Sequence, residues 1–162
     1  MPAADERAAH WLPRLAQLSA DYARAIDDDR LEEWPAFFTD PCVYKITSAD
    51  NHRRGWPAGL VYADSRGMLL DRVAALREAN IYERQSYRHL VGLPAILGET
   101  DDGARVETPV LVVRIMRDGA MDIFATGRYL DVAVEVGDAL RLRERIVVCD
   151  SSRFDTLLAL PL

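Results

Sequence analysis

Three turn signals at near-regular intervals constrain this chain more than any other feature: Asp102-Gly103, Asp118-Gly119 and Gly137-Asp138. Glycine beside aspartate accepts the left-handed backbone of a tight hairpin, so the apolar runs between such pairs are committed to antiparallel pairing. They delimit four expected strands, over 87–97, 105–116, 121–132 and 139–148. In the last, Leu140, Leu142, Ile146 and Val148 alternate with Arg141, Arg143, Arg145 and Val147. That alternation predicts one buried face and one cationic face. Residues 110–113 are apolar on both parities, the pattern of a central strand covered on both sides.

The first half has helical periodicity. From Ala8 onward, Trp11, Leu15, Leu18, Tyr22 and then Ala25 or Ile26 recur every three or four positions, with Pro13 expected in the first turn. Asp27-Asp28-Asp29 breaks the pattern. Asp29 and Glu32 have capping-box spacing before a short helix whose face is Leu31, Trp34, Phe37 and Phe38, and Asp40-Pro41 ends it. A strand-like run over 42–47 leads into a loop over 48–57, and a short strand is expected at Val61-Tyr62. Asp64 or Ser65 then caps a central helix with Leu69, Val73 and Leu76 on one stripe, ending near Asn80. Helices followed by a meander make an α+β pattern, with the helices gathered on one face of a curved, mostly antiparallel sheet. The length suits a single domain over 1–162, with 1–20 as helix start or arm and 150–162 as a tail.

Charge and motifs exclude several classes. A net charge of −6 disfavours counterion-releasing nucleic-acid binding. No run approaches the ~18 apolar residues of a membrane span and no signal peptide is legible, so a cytoplasmic location is expected. Cys42 and Cys149 form neither a disulfide framework nor a metal knuckle. His10, His52 and His89 have neither the spacing of a mononuclear iron site nor that of a Rieske cluster, so no metal, cofactor or catalytic residue is assigned to this chain. An acid–base pair inside a helix-lined cone, joining His89 to Tyr22, Asp64 or Tyr87, is the enzymatic alternative.

The strongest surface signal is aromatic and basic. Tyr82, Arg84, Tyr87 and Arg88 crowd the end of the central helix, and Trp56 lies in a charged loop. The row Arg141, Arg143 and Arg145 would repel itself if unpaired. Arginine and aromatic side chains are the usual anchors of protein interfaces, so all eight are assigned to partner contacts, with carboxylate binding by Arg84, Tyr87 and Arg88 as the lesser reading.

Phe37-Phe38-Thr39-Asp40, the run from Ala63-Asp64-Ser65 to Asn80, Tyr87-Arg88-His89 and 145–151 together resemble the small (beta) subunits of aromatic-ring-hydroxylating dioxygenases. The resemblance covers about 22–162, and 77–84, Leu93-Pro94 and 155–162 look like the terephthalate branch of that family. It departs from many relatives at Leu93, where they carry asparagine. The resemblance implies the cone-like fold of the nuclear transport factor 2 (SnoaL) type and a non-catalytic subunit. It further implies a large (alpha) subunit holding a Rieske 2Fe-2S cluster and mononuclear Fe(II), fed from NADH through a reductase. A homotrimer within a hexamer of three large and three small subunits, acting on terephthalate or a related aromatic carboxylate, completes the expectation. The alternatives are a stand-alone dehydratase, isomerase or cyclase of the same cone fold, or a small-ligand binding module.

Overall fold

The computed structural model describes residues 4–57, 59–79, 85–153 and 160–162. Helix α1 (Ala4–Asp27) buries Trp11, Leu15, Leu18, Tyr22 and Ile26 along one stripe, as their spacing requires. It starts earlier than expected, so Pro13 lies inside the helix rather than in its first turn, on the exposed side where water can reach the carbonyl that proline leaves unbonded.

A 3₁₀ helix follows over Leu31–Phe37, preceded by Arg30 with no side-chain cap. The expected capping box is absent because its two acids are used elsewhere. Arg77, on α3 (Arg66–Ala79), donates from Nε to Glu32 Oε1 at 2.7 Å and from Nη1 to Asp29 Oδ1 at 2.9 Å. The 48 and 45 positions between these partners make the contact a clamp between two helices rather than a local cap.

Strand β1 (Phe38–Ser48) begins before Asp40-Pro41 and runs through it. The expected loop contains a short helix, α2 (Ala49–Arg53), because the Ser48 hydroxyl accepts the Asn51 N–H at 3.2 Å. Strand β2 (Val61–Ala63) then pairs antiparallel with β1.

The first expected strand of the meander is two strands, β3 (Gln85–Val91) and β4 (Ala95–Thr100). Both pair with β5 (Gly103–Met116). The break falls where Gly92 donates its N–H to the Pro109 carbonyl at 2.8 Å; a Cβ on residue 92 would meet Pro109 Cγ at 2.5 Å, so only glycine fits there. Strands β6 (Met121–Val136) and β7 (Ala139–Cys149) complete the sheet. The hairpin glycines Gly119 and Gly137 have φ of +90° and +61°, as their turn pairs predict.

The strand order is β2-β1-β7-β6-β5-β3, with β4 beside β5; β1–β7 is parallel and the other pairs are antiparallel. The helices cover the concave face over one contiguous core.

A bulge changes the expected facing of β7. Val132 pairs with Glu144 and Ala133 with Leu142, which leaves Arg143 as the extra residue. Leu140 and Leu142 point inward before it, and Arg145 and Val147 point inward after it. The convex face also departs from expectation. Val110 and Val112 are buried, but Leu111 and Val113 are only half-buried. Leu90 pairs with Leu111, Ile123 with Val113 and Met121 with Ile115, and the three outer residues of these pairs are exposed.

Candidate functional site

The cone interior is built around Arg145, whose side chain is wholly buried. Its Nε and Nη2 donate to the Asp131 carboxylate at 2.8 and 2.7 Å, a bidentate fork that suits a planar guanidinium. Its carbon lies 3.8 Å from the Tyr129 ring centroid and 4.2 Å from that of Tyr22, so two aromatic faces supply what solvent would otherwise give the cation. Burial alone would lower the Arg145 pKa; the Asp131 charge reverses this and holds the group above its ordinary value.

The same interior receives Leu162. Its backbone oxygen accepts from the Tyr22 hydroxyl at 2.9 Å and the Tyr44 hydroxyl at 3.1 Å, and its N–H donates to Tyr44 Oη at 3.1 Å. Burial pushes Tyr22, Tyr44 and Tyr129 above the ordinary tyrosine value; at Tyr22 the Arg145 charge and the nearby Trp34 indole partly oppose it. Side chains and Leu162 thus occupy the centre of the cone.

His89 is paired, but with none of the three partners expected. It lies on the inner face of β3, and Asp27 at the end of α1 accepts from its ring Nδ1 at 2.6 Å and from its backbone N–H at 2.9 Å. Tyr22 is engaged with Leu162, Asp64 lies exposed after β2, and the Tyr87 ring meets that of His89 edge to face at 6.1 Å. Nothing in the spacing could have found Asp27, which the acidic run 27–29 disguises as a helix terminator.

The eight residues expected at partner contacts separate into four groups. Tyr82 and Arg84 lie outside the described residues. Tyr87, 2% exposed, and Arg145 are core residues, which corrects their reading as surface anchors: Tyr87 packs on Phe124, and the β7 bulge turns Arg145 inward. Trp56 is 51% exposed with the Arg54 guanidinium over its ring at 4.9 Å, and the Arg88 side chain is 63% exposed. Arg143 pairs with Asp102 at 2.9 Å within the chain and Arg141 donates to the Leu140 carbonyl at 2.9 Å. The row is therefore neutralised mostly from inside, where pairing across a boundary had been expected.

Among the described residues no group of three His, Cys, Asp or Glu is placed to hold a metal ion. His10 is exposed and meets Glu135 at 3.2 Å, His52 is in α2, and His89 is in the core, so the imidazoles lie on three separate elements. This donor set fits neither mononuclear iron nor a Rieske cluster. No helix among the described residues is long and apolar enough to cross a membrane.

The family model described as ring hydroxylating beta subunit matches residues 21–156. A terephthalate 1,2-dioxygenase terminal oxygenase component subunit beta from Comamonas sp. is 52% identical over 149 residues, covering 92% of this chain and 97% of that protein. The anthranilate 1,2-dioxygenase small subunit of Burkholderia cepacia is 40% identical, covering 91% and 92%. A beta-subunit crystal structure from Novosphingobium aromaticivorans superposes with a TM-score of 0.88 at 37% identity, covering 96% of this chain and 99% of that one. The arrangement of helices against a curved mixed sheet is thus shared with that solved beta subunit, and the chain belongs to the ring-hydroxylating dioxygenase beta-subunit family.

Proposed function

We propose that this chain is the structural small subunit of an NADH-dependent oxygenase that adds dioxygen across the ring of terephthalate or a related aromatic carboxylate, giving a cis-dihydrodiol. The observation that carries it is 52% identity, over nearly the whole chain, to the beta subunit of a terephthalate 1,2-dioxygenase. The chemistry then belongs to a large alpha subunit, which carries the Rieske 2Fe-2S cluster and the mononuclear Fe(II), with electrons arriving from NADH through a reductase. The assembly is three large and three small subunits in the cytoplasm, the small ones forming a homotrimer.

The surface supports an assembled state. Leu90 is 56% exposed, Met121 71% and Ile123 66%, and these large apolar side chains, paired with half-buried Leu111, Ile115 and Val113, have the pattern of an interface. The contacts are assigned to this face, to the segment 82–88 through Arg88, and to the loop around Trp56. The filled interior weighs against a stand-alone cone enzyme or ligand binder, since the volume where a substrate would lie holds Arg145, Tyr129 and Leu162.

The test is to co-express both subunits, weigh the product by light scattering, count its iron, and assay terephthalate, isophthalate, phthalate and benzoate. The expected result is a hexamer with iron in the large subunit and turnover of terephthalate. Stoichiometric iron on the small subunit alone, or turnover by it alone that His89→Ala abolishes, overturns the reading.

A further inference from the structure

The chain carries two surfaces of opposite charge near opposite borders of its sheet. Beside β3, a cleft of about 330 Å³ runs between α1 and residues 91–94, flanked by Arg24 and Arg88 and walled by Leu93. Arg24 makes no ion pair within the described residues, and Arg88 comes no closer than 3.8 Å to the carboxylate of Asp27, which is already committed to His89. Toward β1 and β7, a groove of about 560 Å³ has an apolar floor that includes Val43, Val132 and Val134. Five carboxylates line it against one arginine. Arg143 answers Asp102, and Glu135 is held by Arg14 and His10. Asp40, Asp64 and Glu144 have no ion-pair partner among the described residues.

We propose that in the homotrimer Leu93 and Arg88 of one copy enter the groove between Asp40, Asp64 and Glu144 of the next, so that every junction is head-to-tail. This rests on the homotrimer reading above and goes beyond it by naming which surface meets which. The occupant is a second copy because one chain carries both halves of the match, and a closed ring uses each half once per subunit. A two-fold dimer could use both halves at one junction only if they shared one face, whereas the two surfaces lie near opposite borders of the sheet. Leu93 supplies the apolar anchor for the valine floor, while Arg88 selects the register through charges that the chain itself leaves unanswered.

The experiment uses the full chain and four variants: Arg88→Glu, Glu144→Arg, the two combined, and Leu93→Asp. Association is measured by light scattering and sedimentation over a range of protein and salt concentrations, with circular dichroism reporting the fold. Each charge reversal weakens association by about tenfold or more, the combined variant returns it to within about threefold, and association of the unaltered chain falls with salt. Leu93→Asp replaces an exposed side chain, so its folded form reports on the junction even if a reversal fails to fold. If the unaltered chain is a trimer and the folded variants associate as it does, or the combined variant is not rescued, the pairing is wrong and the homotrimer stands. If no trimer of small subunits exists alone or with the large subunit, both fall.

Discussion

Asp27 and His89, separated by 62 positions, close the open end of α1 onto the edge strand β3: one carboxylate accepts the ring Nδ1 at 2.6 Å and the backbone N–H of the same residue at 2.9 Å. Both side chains are almost fully buried, so neither can turn to solvent when the other is removed. Asp27→Ala is expected to cost about 3 kcal/mol, the upper end of the range for leaving a buried hydrogen-bonding group without its partner. Denaturant unfolding of the isolated chain checks it. In the co-expressed complex, turnover per iron should be unchanged in whatever fraction folds, because the pair holds an edge strand and touches no substrate.

Arg145 and Asp131 predict a strongly non-additive pair. Arg145→Met or Asp131→Leu alone leaves one buried charge unanswered and should cost about 3 to 5 kcal/mol, whereas the double variant should recover most of that loss. A double-mutant cycle by chemical unfolding measures the coupling, and additive single effects would contradict the buried fork. Arg145→Lys should be costly as well, because an ammonium cannot make the two parallel contacts.

The clamp of Arg77 on Glu32 and Asp29 gives a prediction in acid. A hydrogen bond from Arg77 is the main reason the Glu32 pKa lies below its ordinary 4.5. The folded chain therefore holds this carboxylate ionised where the unfolded chain protonates it. The stabilisation is present above the unfolded value and is lost as pH falls through the folded one. Arg77→Met should remove about 1 kcal/mol at neutral pH, since the clamp is partly exposed, and should flatten the acid limb of a plot of Tm against pH.

Alkali acts in the opposite direction. Burial pushes Cys42 up to about 11 and Cys149 up to about 12, and raises Tyr22, Tyr44 and Tyr129 above 10.0. The unfolded chain releases these protons at lower pH than the folded one, so stability is full below the unfolded values and falls as pH rises through them toward the folded values. The three phenols should ionise together with the loss of structure, followed by phenolate absorbance. At mildly alkaline pH neither thiol should react with a thiol reagent until denaturant is added.

Periodicity located most elements, because the stripe from Trp11 to Ile26 and the hairpin pairs at Gly103, Gly119 and Gly137 are local signals with local causes. The failures have non-local causes. The Asp29–Glu32 spacing looked like a cap because a sequence does not show that Arg77 competes for both acids. Asp27 was invisible as the His89 partner for the same reason. The short helix after Ser48 had a legible signal in its capping serine, which the charged, glycine-containing stretch around it obscured. Of the residues expected at the surface, Trp56 and Arg88 are exposed, while Tyr87 and Arg145 are buried: composition reports residue type, and facing depends on register.

The extra residue in β7 has an evolutionary consequence. Because Arg143 absorbs the slip, the three arginines face different selection although they are two residues apart. In an alignment of relatives, position 145 should change only in step with position 131, while 141 and 143 drift with the surface. Deleting residue 143 would join Leu142 to Glu144 in unbroken alternation and leave Arg145 facing inward opposite Asp131, whereas deleting Glu135 or any other unbulged position would not be so absorbed. A lineage could therefore lose that single codon and keep the centre of the cone, giving up only the surface charge that Arg143 supplies.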